Sequence, residues 1–92
     1  MAEGAAERAY VYLLRCRDGS LYAGWTTDLI RRLRVHAAGR GARYTRSRLP
    51  VALAASWEVA DRSEAMRLEA RIKRLSRAKK IALCGYTVDV PA

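Results

Sequence analysis

Long apolar runs, paired cysteines and acidic charge are all scarce in this chain, and each scarcity removes a class of protein. The longest apolar stretch, Val51 to Ala60, is interrupted by Ser56 and Glu58. It falls well short of the roughly 20 residues that cross a bilayer, so no membrane partner is expected. Cys16 and Cys84 occur without any Cys-x-x-Cys spacing, which leaves neither a disulfide framework nor a zinc pattern. They read as reduced, packed thiols. The opening residues, Met-Ala-Glu-Gly-Ala-Ala-Glu-Arg, are polar and partly acidic, unlike an export signal. Together these features predict a soluble cytoplasmic protein.

What is abundant is positive charge. Eighteen Lys and Arg stand against nine Asp and Glu, a net charge of +9. Such an imbalance attracts polyanions, and the clustering of arginine on short segments favours nucleic acid over a merely solvated surface. The 92 residues make one domain, and 51% hydrophobic residues can form its core without metal or disulfide staples.

Residues 1–8 show no apolar period and are expected to form a disordered tail, followed by one domain over 9–84. Tyr10 to Cys16 and Ser20 to Trp25 read as strands joined through Arg17-Asp18-Gly19. Two registers compete. A two-residue loop, Asp18-Gly19, puts Tyr12 and Tyr22 on opposite faces. A three-residue loop with Gly19 left-handed pairs Cys16 with Ser20, sets Tyr12 against Gly24 and Tyr22 against Leu14, and brings both phenols to one face. A shared site requires the longer loop, which is the expected one.

A helix is predicted from about Leu29 to Ala38, capped by Thr26, Thr27 or Asp28 and ended by Gly39 and Gly41. Its apolar stripe is Leu29, Ile30, Leu33 and Ala37, with Arg32 and His36 along one edge. Residues 39–49 read as a basic loop, and Val51 to Val59 as a buried third strand, with a helix as the alternative because its alanines weaken the strand pattern. A second helix should start at Asp61 or Ser63 and run to about Leu75, burying Ala65, Leu68, Ile72 and Leu75. Ser76 caps a third, Arg77 to Leu83, stopped by Gly85. Residues 85–92 are a tail or an extra edge strand.

The triplets Tyr10-Val11-Tyr12 and Tyr22-Ala23-Gly24 precede Thr26-Thr27-Asp28-Leu29-Ile30-Arg31-Arg32-Leu33, then Gly41-Ala42-Arg43-Tyr44-Thr45 and Glu69-Ala70-Arg71-Ile72-Lys73. Each fragment alone is weak; their order and spacing over roughly residues 9 to 84 resemble the GIY-YIG endonuclease domain. The likeness is greatest to its small stand-alone bacterial members, related to the amino-terminal nuclease of UvrC. The resemblance implies an α+β fold, a three-stranded antiparallel sheet flanked by helices. It implies that Tyr12 and Tyr22 line the site, Arg32 faces the scissile phosphate and Glu69 holds a divalent metal, Mg²⁺ or Mn²⁺. Two departures spare the phenols: Tyr10 stands at the first triplet's glycine and Ala23 at the second triplet's centre. A third is that the chain contains no Asn or Gln, so Lys79 or Lys80 occupies the region where many relatives carry an amide.

The chemistry suits these residue types. Mg²⁺ binds through one or two carboxylates and completes its shell with water and phosphate, so a lone Glu69 suffices. Arg32 offers bidentate contact to phosphate oxygens. A phenol is a poor base near pKa 10 unless cations depress it, which Arg32, His36 and the metal would do for Tyr12. Tyr22 would orient water or phosphate, and His36 would relay a proton from Tyr12. Judged singly, each is an ordinary structural residue; jointly they form a catalytic set.

Arg40, Arg43, Arg46 and Arg48, with Tyr44 among them, are expected to contact a nucleic-acid backbone, and Lys73, Arg77, Lys79 and Lys80 to form a second phosphate-tracking face. No segment resembles a base-reading helix, so preference for structure over sequence is expected. The leading reading is a metal-dependent endonuclease acting on branched, nicked or damaged DNA in repair or recombination. The alternative is a noncatalytic basic protein that binds DNA or structured RNA. A protein partner that supplies substrate targeting is compatible with either.

Overall fold

The computed structural model describes residues 8–84; the readings made for residues 1–7, for Gly85 as a helix stop and for the tail 85–92 lie outside them. Ala9–Arg15 (β1) and Leu21–Thr26 (β2) form an antiparallel hairpin in the longer register, with Tyr12 opposite Gly24 and Leu14 opposite Tyr22. The turn chemistry explains the choice. Cys16 N–H donates to the Ser20 carbonyl and Gly19 N–H to the Cys16 carbonyl, each at 2.9 Å. Gly19 has φ +86°, a left-handed conformation that a side chain would strain. The Asp18 carboxylate accepts from the Ser20 N–H and hydroxyl at 3.0 and 2.6 Å, closing an Asx turn.

Leu29–Ala37 (α1) follows, capped by Asp28, whose carboxylate accepts from the Arg31 N–H at 3.1 Å. It ends in a Schellman motif: Gly39, with φ +78°, donates to the His36 carbonyl and Arg40 to the Val35 carbonyl, both at 3.0 Å. The expected stripe needs correction, because Ile30 is 66% exposed and Ala37 is also exposed. The residue α1 buries is His36, with Leu29, Leu33 and Val35 half-buried beside it. A periodicity that counts imidazole as polar rotates the helix in the wrong direction.

The segment read as a basic loop contains a four-residue helix, Arg43–Arg46 (α2), whose Thr45 is wholly buried. Ala52–Val59 (β3) then pairs antiparallel with β1, giving sheet order β2-β1-β3 and a register shift at Leu13/Leu14. The run expected to be buried is thus an edge strand, and Leu53 is 44% exposed. Its continuous small apolar residues imitate a central strand, whereas β1 occupies that place.

Arg62–Lys73 (α3) and Arg77–Leu83 (α4) start where Asp61 and Ser76 accept from the Glu64 and Lys79 N–H groups at 2.9 and 3.3 Å. Ala65 and Ile72 of α3 are buried against Ala9, Val11, Leu13 and Ala23, with Leu68, Trp25, Trp57 and Cys84 packed around them. Side chains alternate between sheet faces. The odd-numbered β1 residues therefore build this core under α3, and Tyr12 points to the opposite face.

Candidate active site

That opposite face is covered by α1 and α2 through a buried polar chain. The Tyr12 hydroxyl lies 2.9 Å from His36 Nε2, and His36 Nδ1 lies 3.0 Å from Thr45 Oγ1. Thr45 Oγ1 in turn lies 3.0 Å from the Ala42 carbonyl, to which it donates. Tyr12, His36 and Thr45 are 2%, 1% and 0% exposed.

Two glycines make room for this chain. Tyr12 sits directly across from Gly24, and a Cβ there would stand 2.5 Å from the phenolic oxygen and 2.6 Å from Cζ. The Tyr12 ring therefore crosses over the β2 backbone toward the sheet edge. Gly41 lies against the His36 ring, and a Cβ at that position would overlap Nδ1, Cε1 and Cγ.

At the β2 edge the two faces of the sheet meet in a cleft of about 290 Å³ lined by Tyr12, Tyr22, Gly24, Trp25, Arg32, His36, Arg40, Gly41, Ala42 and Glu69. Phenols and imidazole reach it from the α1 side, and Glu69 and Trp25 from the α3 side. All five residues singled out for catalysis therefore share one concave surface. Tyr22 meets His36 edge-on with centroids 5.7 Å apart and stacks on Tyr44 at 5.8 Å.

The electrostatics differ from the expected depression of the Tyr12 pKa. It is raised from 10.0 to about 12, first by burial and then by the charges of Tyr22 and Glu69, which outweigh the lowering by Arg32. His36 is held below its ordinary 6.5 by burial first and by Arg32 second. Both shifts favour a neutral phenol hydrogen-bonded to a neutral imidazole.

Glu69 is the carboxylate that lines the cleft, 3.6 Å from Lys73 Nζ one helical turn away. Among the described residues, no group of three or more His, Cys, Asp or Glu forms a closed metal cage. A single carboxylate in an open polar cleft suits a hard, water-rich ion such as Mg²⁺ and does not suit zinc.

The basic residues divide by environment. Arg40 lines the cleft, and Arg43 and Arg46 are exposed on α2. Lys79 is exposed and Lys80 half-buried on α4. Arg48 braces the hairpin turn: Nε donates to Asp18 Oδ2 at 2.9 Å, a terminal nitrogen donates to the Tyr44 carbonyl at 3.0 Å, and the guanidinium lies 3.8 Å over the Tyr44 ring. Arg77 donates to the Gly19 carbonyl at 3.0 Å. Thr45, Gly41 and Ala42 had no assigned role in the sequence reading. Thr45 lies nine residues from His36, beyond any local pattern; only the Gly41-Ala42-Arg43-Tyr44-Thr45 string pointed to this segment.

Comparison with known proteins bears on the family and the fold. The GIY-YIG catalytic domain family matches residues 8–82. The UPF0213 protein BH0048 of Halalkalibacterium halodurans is 55% identical over 71 residues, which span 77% of this chain and 76% of that one. The UPF0213 protein VNG_2274C of Halobacterium salinarum is 54% identical over 74 residues, 80% of this chain and 96% of its own. Two solution structures share the fold. BH0048 superposes with a TM-score of 0.55 at 51% identity, and EF2693 from E. faecalis with 0.58 at 41%; each comparison covers 85% of this chain and 83% of the other.

Proposed function

The chain belongs to the GIY-YIG catalytic domain family, and on that premise we propose that its cleft hydrolyses phosphodiester bonds in DNA with the help of a divalent ion. The observation that carries this reading is the meeting of Tyr12, Tyr22, Arg32, His36 and Glu69 on one cleft, supplied by four separate elements. None of the five is remarkable alone. A guanidinium, two phenols, an imidazole and a carboxylate around one concave surface match the demands of a phosphate diester.

Hydrolysis adds a water oxygen to phosphorus, breaks a P–O bond and needs a place for the water's proton. Tyr12 need not become a free phenolate. As it takes the water's proton, its own passes along the 2.9 Å hydrogen bond to His36 Nε2. The pKa of Tyr12, raised to about 12, disfavours a free phenolate and so requires the two transfers to be concerted, while the lowered pKa of His36 keeps its ring neutral and Nε2 available to accept. Arg32 neutralises the phosphoryl oxygens as charge builds, and Tyr22 donates to one of them. Glu69 would hold Mg²⁺ or Mn²⁺, which supplies positive charge to the phosphate and the departing alkoxide.

Substrate selection follows from the same surface. Arg40, Arg43 and Arg46 supply contacts to phosphates rather than base edges, which favours branched or nicked DNA over any one sequence. Such a small domain would gain targeting from a protein partner. The test is a cleavage screen of forked, flapped, nicked and single-stranded DNA and structured RNA, with Mg²⁺ or Mn²⁺, comparing wild type with Glu69→Ala. The proposal expects metal-dependent nicking of DNA that disappears in Glu69→Ala while binding persists. Metal-independent binding without cleavage of any substrate would instead establish a noncatalytic binding protein.

A further inference from the structure

We propose that Thr45 is a positioning residue that holds His36 in the tautomer carrying its proton on Nδ1, so that bare Nε2 faces Tyr12 as a proton acceptor. The role in catalysis rests on reading the cleft as hydrolytic; the tautomer itself does not.

The assignment follows from counting donors along the buried chain. A carbonyl oxygen can only accept, so the Thr45 hydroxyl, 3.0 Å from the Ala42 carbonyl, directs its hydrogen there. Thr45 Oγ1 then has only lone pairs to offer His36 Nδ1, 3.0 Å away, and Nδ1 must bring the hydrogen. A neutral imidazole carries one ring proton, which leaves Nε2 bare. The Tyr12 hydroxyl, 2.9 Å from Nε2, is therefore the donor of that pair. All three side chains are at most 2% exposed, so water does not readily replace any partner.

This direction of donation decides what the cleft sees. With Nε2 bare, the Tyr12 proton points inward to His36 and the phenolic lone pairs remain for a water in the cleft. With the proton on Nε2, the imidazole would donate to Tyr12 and occupy a lone pair that the base needs. One segment supplies both parts of the device: Gly41 leaves space for the ring, and Thr45 selects its tautomer. A group that fixes an imidazole's tautomer through its other nitrogen is a recurrent way to set the reactive one.

The 92-residue chain has a single histidine, so its imidazole nitrogens give one unambiguous pair of signals by nitrogen NMR. At a pH where the ring is neutral, wild type should show a protonated Nδ1 and an unprotonated Nε2. Thr45→Val, which keeps the shape and removes the acceptor, should shift the population toward Nε2–H, and Thr45→Ser should restore the original pattern. In cleavage assays Thr45→Val should lower kcat by roughly tenfold to a hundredfold with KM little changed, and Thr45→Ser should recover most of it. A wild-type spectrum dominated by Nε2–H overturns the proposal without any variant, even if Thr45→Val fails to fold. Full cleavage by a folded Thr45→Val whose tautomer has changed overturns the catalytic role. The stated tautomer in a protein that cleaves nothing supports the Thr45 assignment and counts against the nuclease reading alone.

Discussion

The Tyr12 ring lies across the backbone of Gly24, its partner on β2, so closely that a Cβ at position 24 would sit 2.5 Å from the phenolic oxygen. The last residue of the second triplet thus shapes the path by which a phenol on the central strand reaches a cleft at the sheet edge.

Gly24→Ala should therefore damage stability and chemistry together. Tyr12 is buried and tied to His36, so it yields only by leaving its rotamer or breaking that bond. Overpacking of this kind costs about 1–3 kcal/mol, read as a lower denaturant midpoint at unchanged slope. Cleavage should fall further than binding, because the displaced atom is the proposed base. A Gly24→Ala protein with wild-type midpoint and rate would show that the ring has room it does not have here.

The hairpin that sets this contact was legible in the sequence, but its register was not: Asp18-Gly19 suits the shorter loop as well, and only the need for Tyr12 and Tyr22 to share a face selected the longer one that the structure has. The starts of α3 and α4 were legible because Asp61 and Ser76 are local caps. The rest depended on tertiary contact. His36 was placed on a helix edge because its polarity hid a buried position, and β3 was read as buried because its neighbours in the sheet are not written in its own residues. α2 spans four residues without a side-chain cap and leaves no period to detect. The raised Tyr12 pKa could not be anticipated while its burial was unknown.

The protonation states give a pH signature. The folded-state pKa of His36 is lowered below 6.5 by burial and by Arg32, so the unfolded chain binds the proton more readily. This group's stabilisation is present above pH 6.5 and is lost as pH falls through its folded pKa. Tyr12 has the opposite sense: its stabilisation is present below pH 10.0 and is lost as pH rises toward about 12. An NMR titration of the lone imidazole should give a midpoint below 6.5, moved upward by Arg32→Ala, with the acid limb of cleavage following it. A midpoint at or above the ordinary value would contradict the burial described here.

Salt dependence should separate the arginines. Arg43→Ala or Arg46→Ala should weaken DNA binding evenly across sequences and lower the slope of log affinity against log salt by about 0.9 per lost duplex contact. Arg48→Ala should act mainly on stability, by about 1 kcal/mol or less, because that guanidinium joins Asp18 and the Tyr44 carbonyl at the hairpin turn. Equal changes in slope for Arg43→Ala and Arg48→Ala would reject this division.

Glu69 and the four side chains that share its cleft are proposed to form a single site for a metal ion and a phosphate. Its most direct test is a Mn²⁺ titration of the isotopically labelled protein with a noncleavable DNA oligonucleotide, following paramagnetic broadening residue by residue. Signals from Glu69, Tyr22, Gly24, Arg32 and His36 should broaden early and jointly, and Glu69→Gln should abolish the effect. Broadening centred instead on Asp61, Glu58 or Glu64, with the cleft signals untouched, would contradict it.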